Sequence, residues 1–474
     1  MEQQFIEITN ERYRLGYHIM AKSGWINDPN GFVYFKGYYH VFYQHYPYGA
    51  EHGSMHWGHA RSKDLIHWET LPIALTPGSK EDEDGCFSGS AIVKDNILYL
   101  VYTGHHYYEN DNSPDHFWQN QNLAYSTDGI NFTKYESNPI IAKPPEDNTH
   151  HFRDPKVWEH NGRYYQIVGS QTKDGLGRVI LYVSDNLKSW DYLGEIDRAK
   201  SEIEEGFMWE CPDLFHLNGK DVLLCSPQGI TSQNKQFLNL YNTGYFLGGL
   251  NYKESKFERL SNFIELDYGH DFYAAQTLLS PDGRRILIGW MAMWENEMFE
   301  QVDGWSGALT LPRELILKDN QIYMNPIKEV NTLRKNEGNR KNLQLDKSYL
   351  LPDITESSEI ELELSLKDQD DHFNLHFKDQ DDVSFLTLTY SNNSFILHRA
   401  DKNDERYAQI TPSDSLYLRI FIDTSSIEIF VNEGETVFTE RYYLEGNPSV
   451  KIEGADEVIG DATVYQLENN AIKY

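Results

Sequence analysis

Cysteine is scarce in this chain: Cys86, Cys211 and Cys225 are the only three among 474 residues. Their odd number and wide spacing exclude a disulfide framework or a zinc motif, and suit the reduced thiols of a cytoplasmic protein. Long apolar runs are missing too, which excludes a helical membrane span. The opening Met1-Glu2-Gln3-Gln4 lacks the basic flank and apolar stretch of a secretory leader, so a cytoplasmic location is the expectation. Basic residues are outnumbered, 42 Lys and Arg against 73 Asp and Glu, for a formal charge of -31. Such a field disfavours nucleic acid and anionic membranes as partners.

What the chain has in quantity is aromatic residues, 14% of the total, led by 32 Tyr and 23 Phe. Both favour strands. The length points to two domains.

A strand–turn–strand unit recurs. It spans Gly31–Pro47 about Lys36-Gly37, Ser90–His106 about Asp95-Asn96 and Pro155–Thr172 about Asn161-Gly162. It returns at Pro212–Gln228 about Asn218-Gly219 and at Ala274–Met291 about Asp282-Gly283. The unit starts are 59, 65, 57 and 62 residues apart. Asn-Gly and Asp-Gly between apolar runs are strong hairpin signals. Further strand-like sequence follows, opened by Ser62-Lys63-Asp64, Ser126-Thr127-Asp128-Gly129 and Ser184-Asp185-Asn186. Five units of about four short strands predict a five-bladed β-propeller; a pair of β-sandwiches is the alternative. The polar stretch 336–350 reads as a linker. Beyond it, Ile360–Leu366, Val383–Tyr390, Ser394–Arg399, Leu416–Asp423 and Ile427–Val431 alternate apolar and polar residues. That is the pattern of half-buried antiparallel strands. The expected fold is therefore all-β: a propeller over 1–335, a linker, and a C-terminal β-sandwich over 351–474.

Acids fall in register with the repeat. Asp28 lies three residues before the first unit, Asp154 one before the third, Glu210 two before the fourth and Asp271 three before the fifth; Phe87-Ser88-Gly89 holds the place at the second. If each unit's first strand is innermost, these residues gather at one mouth of the central channel. Paired carboxylates are the equipment of a glycosidase, and the two must ionise differently. Glu210, between Trp209 and Cys211, has apolar neighbours that would raise its pKa as an acid catalyst needs. Asn27 and Asn30 flank Asp28 and could keep it ionised as a nucleophile. Arg153 is the expected ion-pair partner of Asp154. Clustered acids could also hold calcium, but no EF-hand spacing is present, and the reading asks for neither metal nor cofactor. Trp25, Trp57, Phe87, Trp209 and Trp290 lie near unit starts or ends, where a sugar ring could stack or a β core could pack. His52, His56, His59, His105 and His106 form a histidine-rich set without metal spacing, expected on the site wall or the surface.

The residues Trp25–Gly31 (WINDPNG), Phe87–Ala91 (FSGSA), Arg153–Pro155 (RDP) and Trp209–Asp213 (WECPD) resemble glycoside hydrolase family 32, the β-fructofuranosidases. Met55–His59 (MHWGH), Trp305–Leu315 (WSGALTLPREL) and Asp423–Val431 (DTSSIEIFV) extend the resemblance over nearly the whole chain. It implies a five-bladed propeller plus a β-sandwich. It also implies retaining hydrolysis of a terminal β-D-fructofuranosyl bond, in sucrose, sucrose 6-phosphate or a short fructo-oligosaccharide, through a covalent fructosyl-enzyme. By matching motif, Asp28 would be the nucleophile, Glu210 the general acid and then base, and Asp154 the transition-state stabiliser. Asn27, Gln44, Phe87, Ser88 and Arg153 would hold the fructose, with Trp57 and Trp290 in the pocket wall. Retaining geometry predicts carboxyls of Asp28 and Glu210 about 5–5.5 Å apart. Many family members carry Trp where His52 falls. Thr149–Val157 (THHFRDPKV) looks most like the bacterial sucrose-6-phosphate hydrolase branch. A fructosyltransferase using the same acids and a non-catalytic sugar-binding propeller are the alternatives. For a phosphate on the leaving group, Lys22, His105, His106 and Lys156 are candidates by position. The oligomeric state is not set by any of these features.

Overall fold

The computed structural model describes residues 4–108, 115–367, 371–455 and 458–474. All five predicted hairpins form. Both central residues have positive φ at Lys36-Gly37, Asp95-Asn96, Asn161-Gly162 and Asn218-Gly219. That is the turn whose twist matches the flanking strands. The fifth hairpin, about Asp282-Gly283, turns over a longer loop between Tyr273–Leu279 and Arg285–Trp290. The Ser-Asp and Ser-Asn openings become side-chain turns. Asp64 accepts from the N–H groups of Ile66 and His67, Asp128 from Ile130 and Asn131, and Asn186 from Lys188 and Ser189. These residues supply the acceptors that a tight turn leaves its own backbone without.

Each hairpin seeds one antiparallel sheet, and the five sheets are the blades of a propeller. The inner strands are Gly24–Phe35, Gly85–Lys94, Asn148–His160, Met208–Leu217 and Tyr273–Leu279. The first blade is extended on both sides. Trp305–Ser306 pairs in parallel with its inner strand, and the tail Ile472–Lys473 with its outer strand, Trp68–Leu75.

The second domain is a β-sandwich of two six-stranded sheets around one apolar core that includes Ile360, Leu362, Phe373, Leu375, Leu418 and Ile452. The five strands expected here form. The stretch expected as a linker does not stay irregular: Arg334–Gln344 is a strand at the edge of one sheet, paired with Ile459–Leu467. It reads as polar because an edge strand exposes most of its side chains, and charge there deters pairing with another chain. Ser426–Val431 and Thr436–Arg441 are buried on both faces. One face fills the sandwich core; the other meets the propeller, where Phe430 and Val437 join its apolar cluster. Among the described residues no helix is long and apolar enough to cross a membrane.

Candidate active site

The acid-bearing ends of the inner strands are not regular. Every inner strand slips register at one level: between Asn30 and Val33, Phe87 and Gly89, Arg153 and Lys156, Glu210 and Asp213, and Tyr273 and Gln276. These are β-bulges, which bend a strand and re-aim its side chains. At four of them a residue takes the left-handed conformation: Gly31 (φ 54°), Asp154 (65°), Cys211 (46°) and Ala274 (54°). Glycine does this freely. The other three each carry strain on the order of 1–3 kcal/mol, of the kind found where a site dictates backbone geometry.

The bulges bring Asp28, Asp154 and Cys211 together. One carboxylate oxygen from each acid and the Cys211 sulfur all lie within 4.8 Å of one another. Burial and the three neighbouring carboxylates push the Cys211 thiol well above its usual pKa. It is therefore a hydrogen-bond donor, 3.4 Å from Asp28 Oδ2 and 3.7 Å from Asp154 Oδ2, rather than a thiolate ligand. Asp28 further accepts from Ser88 Oγ (2.6 Å) and from Asn27 Nδ2 (3.0 Å). Trp25 Nε1 donates to Asn27 Oδ1 at 2.7 Å and so orients that amide. Asp154 accepts from the backbone N–H of Cys211 at 2.9 Å. Glu210 accepts from Arg153 Nε at 2.9 Å and from the Tyr273 hydroxyl at 2.6 Å.

Charge within this cluster is not balanced. Burial, then Glu210, raises the pKa of Asp28 against the bonds from Ser88 and Asn27. Burial raises Asp154 to about 7, with Arg153 opposing and Glu210 and Asp28 adding to the rise. With Arg153 bonded to Glu210, Asp154 keeps a proton near neutrality beside the Asp28 carboxyl. A group of acids holding one proton can both donate a proton and attack as a carboxylate.

Aromatic rings surround the acids. Phe87 stacks on His105 at 4.1 Å, His52 meets both Phe87 and Trp294, and Trp294 stacks on Trp25 at 5.7 Å. Trp57 and Trp290 are fully buried. They back the wall rather than face the mouth: Trp57 Nε1 holds the Phe87 carbonyl at 3.0 Å, and Trp290 packs behind Trp25. Gln44 is buried with its amide on the Cys86 carbonyl.

Several sequence expectations change. Asp271 shares the repeat register but leaves the cluster. It accepts from Arg399 and the backbone of Arg441 in the other domain, because that end of the fifth blade faces the sandwich. Arg153 pairs with Glu210, one blade further round, not with its neighbour Asp154. Glu210 thus has a cation and a hydroxyl beside it instead of purely apolar surroundings. Asn30 turns away from Asp28 and accepts from Gly89 N. His56, His59 and His106 are interior residues, held by the Ser54 carbonyl, by His40 and Phe42, and by the Glu81 carbonyl respectively. Lys156 is buried on Asp213, and Lys22 lines a groove beside the chain termini. Of the four phosphate candidates only His105 stands on the wall. Three members of the site escaped the sequence reading: Tyr273, Trp294 and the donor role of Cys211. Tyr273 directly precedes the fifth unit, a position open to the argument that found the acids.

Comparison with known proteins identifies the family. The model of the glycosyl hydrolases family 32 N-terminal domain matches residues 18–326, and that of the family 32 C terminal matches 329–466. A sucrose-6-phosphate hydrolase of Zymomonas mobilis is 43% identical over 436 residues, covering 89% of this chain and 84% of that protein. A raffinose invertase of Escherichia coli is 38% identical over 462 residues, covering 95% and 94%. Among solved structures, a Bombyx mori β-fructofuranosidase in complex with sucrose superposes with a TM-score of 0.89 at 38% identity, covering 98% of this chain and 96% of that one. From the propeller mouth to the last strands of the sandwich, this chain belongs to glycoside hydrolase family 32.

Proposed function

We propose that this protein is a retaining β-fructofuranosidase that hydrolyses sucrose or sucrose 6-phosphate. The observation that carries the reading is the meeting of Asp28, Asp154 and Glu210, from three different blades, at one aromatic-walled mouth. Relatives of this chain named for sucrose-6-phosphate hydrolysis and raffinose inversion support the substrate class.

In this reading Asp28 attacks the anomeric carbon of the fructosyl unit. Glu210 gives its proton to the glycosidic oxygen, and glucose or glucose 6-phosphate leaves. Glu210, now a carboxylate, takes a proton from water; the hydroxide opens the fructosyl ester and frees Asp28. Asp154 holds fructose hydroxyls and steadies the positive charge that develops on the ring. Asn27, Ser88, Phe87 and Arg153 position the sugar and the acids, while Gln44, Trp57 and Trp290 support them from behind. Tyr273 and Arg153 fix Glu210 for both of its roles. The three cysteines are free, which suits a cytoplasmic setting.

Trapping decides the reading. Turnover of sucrose in the presence of methanol should give the methyl fructoside with retained configuration, and relative kcat/KM on sucrose and sucrose 6-phosphate identifies the preferred leaving group. A product of inverted configuration would rule out Asp28 as a nucleophile.

A further inference from the structure

The three acids stand on separate sheets, and no backbone ladder runs from one inner strand to the next. Apolar packing between blades is non-directional. It does not by itself hold two carboxylates from different blades at one separation. Below the acids the axis also widens into a cavity of about 650 Å³ lined by residues of all five blades.

Between the acids and that cavity lies a closed ring of polar bonds. Gly89 N donates to Asn30 Oδ1, joining blades one and two. Ser90 Oγ donates to the Pro155 carbonyl at 2.7 Å and accepts from Val157 N at 3.0 Å, joining two and three. Lys156 Nζ donates to Asp213 Oδ2 at 2.9 Å, joining three and four. Thr277 donates to the same oxygen through N (2.8 Å) and Oγ1 (2.9 Å), joining four and five. Phe32 N donates to Gln276 Oε1 at 3.0 Å, closing the ring from one to five. Two members also reach across non-adjacent blades: Lys156 Nζ to the Thr277 carbonyl at 2.7 Å, and Gln276 Nε2 to the Gly89 carbonyl at 3.0 Å. Asp213 is 1% exposed.

The ring repeats the register of the site above it. Arg153–Glu210, Asp154–Cys211 and Lys156–Asp213 are each 57 residues apart. The strained bulges lie between these contacts. A bulged strand held on one side only can relax, and its carboxylate would move with it.

We propose that Asp213, together with Lys156, Thr277 and Gln276, is a positioning set that keeps the nucleophile and the acid at their working separation. This rests on the assignment of Asp28 and Glu210 given above. Lys156 and Asp213 stand on the strands that carry Asp154 and Glu210, and Gln276 and Thr277 on the strand that carries Tyr273, whose hydroxyl holds Glu210; each acts through its strand.

The test compares Asp213→Asn, Thr277→Val and Thr277→Ser in the full-length enzyme, with Asp28→Ala as control, reading kcat and KM per folded molecule together with the pH profile. Misplacement of reacting groups by an ångström can cost about a hundredfold. Asp213→Asn should therefore lower kcat about tenfold or more with KM changed less than about twofold, and should displace the alkaline limb of the profile. Thr277→Val should show a smaller loss of kcat that Thr277→Ser, which keeps the hydroxyl, restores. A purely structural role would lower the melting temperature and leave kcat and the pH profile in place; that result in both Asp213→Asn and Thr277→Val overturns the proposal. If Asp213→Asn fails to fold, the Thr277 pair decides alone by the same criterion. Turnover surviving in Asp28→Ala would instead overturn the nucleophile assignment, and with it the separation the ring is said to hold.

Discussion

Two of the sets of buried charge in this molecule, one at the domain interface and one at the propeller mouth, are built differently. At the domain interface, His18 gives both ring nitrogens to acids of the sandwich, Asp423 and Glu428, at 2.8 Å each. Arg313 of the fifth blade bonds Glu428 (2.6 Å) and Asp267 (2.8 Å). All of these side chains have 0% exposure. Asp423 also takes the backbone N–H groups of Gly16 and Tyr17, and Asp271 those of Arg441 beside the Arg399 guanidinium. Burial opposes ionisation of Glu428 and Asp271, yet it is outweighed by Arg313, His18 and the Leu311 N–H together at the first and by Arg399, the Arg441 N–H and Asn296 together at the second, which hold both below the usual carboxylate range. Asp267, with burial as the stronger influence, is held up instead. At the propeller mouth the balance is left incomplete. Arg153 pairs with Glu210, and Asp28 and Asp154 both sit above their ordinary range. The charges at the interface are paired across the domain boundary; those at the mouth are underpaired, and such perturbed carboxyls cluster at functional sites.

The comparison is broken most sharply by exchanging what each region loses. Asp28→Asn should reduce turnover by about 10⁴-fold or more, while thermal unfolding shows no loss of stability, because one of three repelling carboxylates is gone. Glu428→Gln should do the opposite. Leaving His18 and Arg313 short of a partner costs about 3–5 kcal/mol, visible in denaturant unfolding, with kcat/KM of the folded fraction within about twofold of the parent.

Tyr273→Phe probes the boundary between these cases. It removes the hydroxyl that lies 2.6 Å from Glu210 and 2.9 Å from the Ser226 carbonyl and leaves the ring in place. A hydrogen bond to a charged group is worth about 1.5–3 kcal/mol, so kcat should fall between about tenfold and a hundredfold with KM little changed.

The smallest effects are in pH. His18 is raised to about 9 in the folded protein; burial lowers it, but the bonds to Asp423 and Glu428 win. Its contribution to stability is complete below its unfolded pKa, about 6.5, and is lost as pH rises through about 9. Activity should respond earlier. As pH rises through about 7, Asp154 loses its proton and becomes the carboxylate that its charge-steadying role requires, so kcat should rise over that range. An enzyme that unfolds no more easily at pH 8.5 than at pH 6 would be at odds with the His18 assignment; activity and stability changing over one and the same pH range would show that the two regions are not electrostatically separate.

Much of this was legible in the chain. The repeat could be read because each blade begins with a hairpin whose turn chemistry is local, and the Ser-Asp openings because a side chain caps its own turn. Asp28, Asp154 and Glu210 were legible because equivalent places on rotated sheets face one axis. That logic failed at Asp271, since the fifth blade meets the sandwich and a sequence period carries no record of which flank is covered. It failed for Arg153, whose partner is a blade away rather than next in the chain. The edge strand Arg334–Gln344 was misread because solvent-exposed strand and linker share a polar composition.

The sequence by itself determined the local elements: hairpins, side-chain turns, alternating strands, and the order in which acids enter the repeat. Those depend on interactions within a few residues. The tertiary structure alone decided which acid keeps a proton, which acids pair across the domain boundary, and where five strands bulge to aim them. These outcomes depend on distances between residues from different sheets, and on the water each site excludes, neither of which is written in neighbouring positions of the chain.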